Sequence, residues 1–183
     1  VDQAVAGSPG YAFSATDAAI MYRLTGEVQY ANLAISMVES QVAAAETAIA
    51  ANARPDVAGD SYLEVGDMIG DLAIVYDWIY DRLSASQRTR WATYAEQAVW
   101  NVWNHNNAKW GATSFPWSGW SRDNPGNNYY YSFLDATMYW GLASQSSQWL
   151  NFLRNDRFPL LVNYFDQLIG GGSREGTGYG TAH

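Results

Sequence analysis

The chain has 183 residues, 48% of them hydrophobic and 15% charged, enough for one domain with a real core and too apolar for a disordered segment. A formal net charge of −8 argues against the basic field of a nucleic-acid binder. There is no cysteine, and there are two distant histidines, His105 and His183, so neither a disulfide framework nor a metal cluster is indicated; no apolar run nears the ~20 residues of a membrane span.

In chain order, helical spacing dominates. Ser14 is placed to cap a first helix that stops at Leu24-Thr25-Gly26. Val28, Ala31, Ile35, Val38 and Val42 follow at steps of three and four and run to about Asn52. Arg54-Pro55-Asp56 breaks the pattern. Tyr62, Val65, Ile69, Leu72, Tyr76 and Ile79 then mark a helix that also carries Met68 and Val75 on other faces, which predicts an inner helix buried on two sides. Within it Asp77 and Asp81 stand four apart, with Arg82 as a possible partner for their charges. Ser84 and Gln87 spell a capping box, and Trp91, Ala95, Ala98 and Val102 form the helix behind it.

Between Asn104 and Gly126 helical spacing fails, and five tryptophans from Trp100 to Trp120 mark a long aromatic loop of the kind that usually carries function. Trp100 and Trp103 continue the preceding helix face and are expected in the core. Trp117 and Trp120, with Asn106, Asn107 and Arg122 nearby, are the better candidates to hold a sugar ring. Helical spacing resumes at Tyr131, Leu134, Met138 and Leu142, and again at Phe158, Leu161, Phe165 and Leu168, until Gly170-Gly171-Gly172. No strong strand signal is present. The reading is an all-α fold of six or so helices in antiparallel pairs, one helical domain over residues 1–183, without a strict repeat.

Two further segments carry chemistry. Asp123-Asn124-Pro125-Gly126 turns the chain into Asn127-Asn128-Tyr129. One asparagine serves as helix N-cap, and the free N–H groups there suit an anion such as a carboxylate. The second runs from Gly170 to His183 and interleaves Arg174, Glu175, Tyr179 and His183 with glycines. Glu175, Tyr179 and His183 would share a face if helical, although the glycines oppose a helix. A flexible linker is the plainer alternative.

Three features together resemble the helical toroid domain of polysaccharide lyases, the heparinase II/III-like and alginate lyase families in particular. These are Tyr76-Asp77-Trp78 through Leu83-Ser84 with Gln87-Arg88, the Asn127-Asn128-Tyr129 helix start, and Gly171-Gly172-Ser173 through Glu175-Gly176 and Tyr179. The resemblance implies part of an (α/α) toroid, an incomplete barrel whose remaining helices or C-terminal β-sandwich lie outside this chain. It also implies β-elimination on an acidic, uronate-containing polysaccharide, without a cofactor, by a secreted or periplasmic enzyme. Asn128 would neutralise the substrate carboxylate, Tyr179 would act as acid or acid/base, and Arg174 or His183 would assist. Asn127, Tyr129, Trp117, Trp120, Arg122 and Glu175 would line the substrate. The sequence departs from the alginate group in carrying Tyr129 where histidine is frequent, which leaves the base open. The chain opens on Val1 without a signal peptide, as a trimmed chain would.

Three alternatives stand beside this. A toroidal glycoside hydrolase would use Glu175 as acid with Asp67, Asp71 or Asp123 as the second carboxylate. A non-catalytic sugar-binding domain would keep the aromatics without an acid/base pair. A helical repeat that docks a partner protein explains the helices but not the aromatic loop.

Overall fold

Caps decide where the helices begin. The computed structural model describes residues 1–8 and 10–167. After a single turn, α1 (Asp2–Val5), comes α2 (Ala15–Thr25), opened by Ser14, whose N–H donates to the Asp17 carboxylate at 2.9 Å, and closed by Gly26 in the left-handed conformation at φ 74°. α3 (Val28–Ala50) buries its small-residue stripe Ala31, Ala34, Val38, Val42 and Ala45. Pro55 stops any continuation, and the chain crosses a 3-10 stretch (Asp56–Tyr62) that ends with Asp60, Ser61 and Tyr62 all at positive φ. α4 (Val65–Trp78) follows, then a 3-10 turn at Tyr80–Arg82 and α5 (Ala85–Trp103). The Ser84–Gln87 capping box forms at the start of α5, Gln87 N–H donating to Ser84 Oγ at 3.2 Å and Ser84 N–H to Gln87 Oε1 at 2.9 Å.

The aromatic loop contains a 3-10 turn (His105–Asn107) and one two-residue hairpin, β1 (Lys109–Trp110) against β2 (Thr113–Ser114). Then come α6 (Asn128–Ala143), α7 (Ser147–Phe152), a π turn (Leu153–Arg157) and α8 (Phe158–Gln167). Among the described residues the regular structure is otherwise helical, so the fold is all-α.

The helices pair as hairpins: α2 with α3, α4 with α5, α6 with α7. α4 lies between α2 and α6, while α3 and α5 pack on each other and on α4. This central place explains the sequence of α4, which buries Val65, Ile69, Leu72, Ala73 and Val75 on more than one face. α4 and α6 approach closely at Gly66. Its N–H donates to Ser132 Oγ at 2.8 Å, and a Cβ there would lie 2.9 Å from the Ser132 backbone. On the other layer Arg90 of α5 is held by Glu39 and Glu46 of α3, and Trp91 donates its indole N–H to Glu39 at 2.9 Å.

Four expectations are corrected. Tyr62 belongs to the strained entry of α4, not to the helix. Asp77 and Asp81 do not share a helix face, because α4 ends at Trp78, and Arg82 donates to Tyr22 Oη rather than to either of them. The buried face of α6 is Tyr130, Phe133, Leu134, Thr137 and Trp140, whereas Leu142 is 58% exposed; aromatic residues on both sides of this helix hide its phase. On coverage, Phe158 and Phe165 of α8 remain 38% exposed among the described residues, while Leu168 lies outside them.

Candidate functional site

The tryptophan loop is held by bonds from its own polar groups. Asn101, fully buried, accepts from Lys109 N–H at 3.0 Å and donates to Lys109 O at 2.8 Å, closing the loop onto the end of α5. Trp103 donates its indole N–H to Thr137 Oγ1 at 2.8 Å, Trp110 to Tyr62 Oη at 3.3 Å, and Trp117 to Asn101 O at 3.0 Å. Trp117 also packs against Tyr62, Phe133 and His105, with ring centres 5.3, 5.9 and 6.1 Å away. Its indole is thus a strut between loop and core. Trp120 is 56% exposed and is the more open of the two expected sugar platforms. Trp103 is buried as expected; Trp100 is half-buried and lines a groove.

That groove, about 410 Å³, also includes Asn104, Arg122, Trp149 and Arg157 in its lining. Arg122 donates to Trp103 O at 3.1 Å and contacts His105 Nδ1 at 3.0 Å. A guanidinium has no acceptor, so His105 accepts through Nδ1 and carries its proton on Nε2. Asp123 lies between the two arginines, taking Arg122 on Oδ2 at 2.9 Å and Arg157 on Oδ1 at 2.7 Å. Burial pushes the Asp123 carboxyl up, but hydrogen bonds from Arg157 and Arg122 outweigh it and hold the group below the usual carboxylate range.

A second cavity, about 470 Å³, opens between α4 and α6 and is lined by Glu64, Asp67, Asn128, Tyr131, Ser132 and Asp135 among others. Asn127 caps α6, its side chain accepting from Tyr129 N–H at 3.1 Å. That frees Asn128, the first helical residue, for the cavity. Its Oδ1 is shut off from solvent and accepts no hydrogen bond from a described residue. Asp135, accessible but recessed, has its pKa raised by the protein atoms crowding its carboxyl and by the charge of Asp67. Tyr131 donates to Pro125 O at 2.9 Å, and its pKa is raised by burial and by Tyr164.

Burial also raises Tyr62 and Tyr130, each to about 12. None of these phenols is prepared to act as a base near neutral pH. Tyr129 lies edge-on to Phe133 at 6.4 Å. Of the hydrolase candidates, Asp71 accepts from Thr16 Oγ1 at 2.5 Å and Asp123 is taken up by the arginines, leaving Asp67 open to a cavity.

The predicted residues therefore fall into two neighbourhoods, Arg122 in the groove and Asn128 in the cavity, with no lining residue in common. Arg174, Glu175, Tyr179 and His183 lie outside the described residues. Arg157, Trp149 and Asp135 were not anticipated. Asp135 follows Asn128 by seven residues, two helical turns, and that spacing was a usable signal. Arg157 lies 35 positions after Arg122, and no periodicity links them. No protein-family model matches the chain, and no curated protein or solved structure matches it either.

Proposed function

We propose that this chain is the helical part of a polysaccharide lyase, its hairpins forming part of an (α/α) toroid, and that it cleaves a uronate-containing polysaccharide by β-elimination. The observation that carries the reading is Asn128, a carboxamide at the first turn of α6 whose Oδ1 has no partner among the described residues, facing a cavity with polar walls. In this reading Nδ2 donates to the substrate carboxylate. Asp135 lines the same cavity, its pKa raised by burial and by the charge of Asp67.

The chemistry is then a balanced elimination. A base takes the proton α to the carboxyl group, and the electron pair forms a carbon–carbon double bond. The glycosidic C–O bond breaks, and a general acid protonates the departing oxygen. Donors fixed on the carboxylate stabilise the enolate-like charge more than the ground state. Tyr179 is assigned the acid or acid/base role, with Arg174 or His183 assisting, on the resemblance of its segment to the lyase families. Because such polymers are met outside the cytoplasm, a secreted or periplasmic location goes with the reading.

A second reading has its own observation. Asp67 and Asp135 face one cavity from neighbouring helices, and Asp135 is raised by burial and by the charge of Asp67. That is how a glycoside hydrolase divides acid from base between two carboxylates. Product chemistry separates the two. Incubation with a panel of uronate polysaccharides is expected to give new ends that absorb in the ultraviolet, and Asn128→Ala is expected to lower that rate by roughly 10²–10³-fold. New reducing ends without ultraviolet absorbance would replace the lyase by a hydrolase. Binding without cleavage would leave a carbohydrate-binding domain.

A further inference from the structure

The Arg122–Arg157 groove is separate from the Asn128 cavity and opposite to it in charge. The cavity presents Glu64, Asp67 and Asp135; the groove presents two guanidiniums. Among the described residues Asp123 is the carboxylate partner of both arginines, so two cations share one carboxylate and the cluster keeps a net positive charge. A purely structural ion-pair cluster would be expected to match its charges and satisfy its donors. Arg157 Nε is closed off from solvent and Nη1 is bonded to Asp123, which leaves Nη2 to meet a ligand in the groove.

The groove is also rigid in advance of any ligand. The Arg157 guanidinium lies over the Trp103 and Phe152 rings, 5.0 and 5.1 Å from their centres. Trp149 is pinned by its indole N–H to both oxygens of Glu96, at 3.0 and 2.9 Å, and Trp103 to Thr137. With those indole donors engaged, the groove's polar groups include the carboxamides of Asn104 and Gln148 and the two guanidiniums, and only the guanidiniums are charged. Side chains fixed beforehand lose little entropy when a ligand arrives.

We infer that the groove between Trp100 and Arg157 is a binding subsite for the oxyanion of a sugar, a carboxylate or a sulfate ester, distinct from the Asn128 cavity and recognised mainly by Arg157. A guanidinium's fixed charge and planar donors suit either oxyanion. The inference rests on the polysaccharide reading for its ligand class. It does not depend on which reaction follows.

The test is calorimetric titration of the wild type, Arg157→Gln, Arg157→Lys and Asn128→Ala with three tetrasaccharides: an unsulfated uronate, a sulfated uronate and a neutral glucan. Circular-dichroism melts accompany each variant. Arg157→Gln is expected to weaken the charged ligands by roughly tenfold or more. Arg157→Lys should recover part of that loss, and neither variant should alter the glucan. The two charged ligands report whether carboxylate alone suffices or sulfate adds affinity. If the glucan binds the wild type as tightly as the uronates do, the inference is overturned, whatever the variants' stability. Equal uronate affinity in the wild type and a folded Arg157→Lys or Arg157→Gln also overturns it. Arg157-independent binding with Asn128-dependent formation of unsaturated ends would end the inference and keep the lyase. Arg157-dependent binding with no such product would do the reverse.

Discussion

At the residue scale, the two aspartates beside the candidate sites respond to pH in opposite senses. Asp135 has a raised pKa in the folded chain. Below the usual aspartate value of about 3.9 it is protonated folded or unfolded. As pH rises through the raised value, the folded state must give up a proton it holds more tightly than the unfolded chain does, and stability falls. Asp135→Asn removes that loss. Its melting temperature relative to the wild type is therefore expected to be higher at pH 7 than at pH 3, as thermal melts at the two pH values would show; a difference independent of pH would contradict the upward shift. Asp123, held low by Arg157 and Arg122 against its burial, behaves conversely: its contribution is present above the ordinary value and is lost as pH falls through the lowered one. Locally the sequence shows only that Asp123 follows Arg122, whereas Asp135 has no charged neighbour in the chain. The more distant causes are Arg157, 34 positions from Asp123, and, for Asp135, burial and Asp67, 68 positions away; no motif or periodicity links those pairs, so Asp123 was legible as a candidate carboxylate but neither environment was.

At the element scale, helix starts were legible and helix faces less so. Ser14, Ser84 and the Asn127-Asn128 pair each stand where a helix begins, because a cap is a local hydrogen bond between a side chain and a backbone a few residues on. The face of α6 was misread because burial there is a tertiary fact. Tyr130, Phe133 and Trp140 turn inward against α4 and α5, and Leu142 is left out. The cap of α6 has a functional consequence. Asn127 holds the helix start that presents Asn128 to the cavity, so the two asparagines have separable roles. Asn127→Ala is expected to cost about 1 kcal/mol of stability in urea unfolding, with activity falling only as far as Asn128 loses its place. Asn128→Ala should leave the unfolding midpoint nearly unchanged while removing most of the rate. Equal stability losses in the two variants would show that Asn128 too is a structural residue.

At the scale of the whole molecule, the aromatic loop leads directly into α6, its Trp117 packing on Phe133, and on the proposed reading the chain's charge then sets how an acidic polymer would reach them. The overall charge is −8, while the Arg122–Arg157–Asp123 cluster is net positive. At long range a polyuronate is repelled; at contact it is attracted. Salt acts on these two effects differently, because the Debye length shrinks from about 30 Å at 0.01 M to about 8 Å at 0.15 M. Repulsion felt across the protein is screened over that range, whereas the partly buried guanidiniums, with side chains 28% and 17% exposed, are screened less. The association rate of a uronate oligosaccharide is therefore expected to rise with salt between those limits, and the dissociation rate to rise as well, so that affinity changes less than either rate. Stopped-flow tryptophan fluorescence can follow both rates. An association rate that falls steadily with added salt would mean that a positive field steers the ligand from a distance, and the groove could not then be the sole source of attraction on an otherwise acidic surface.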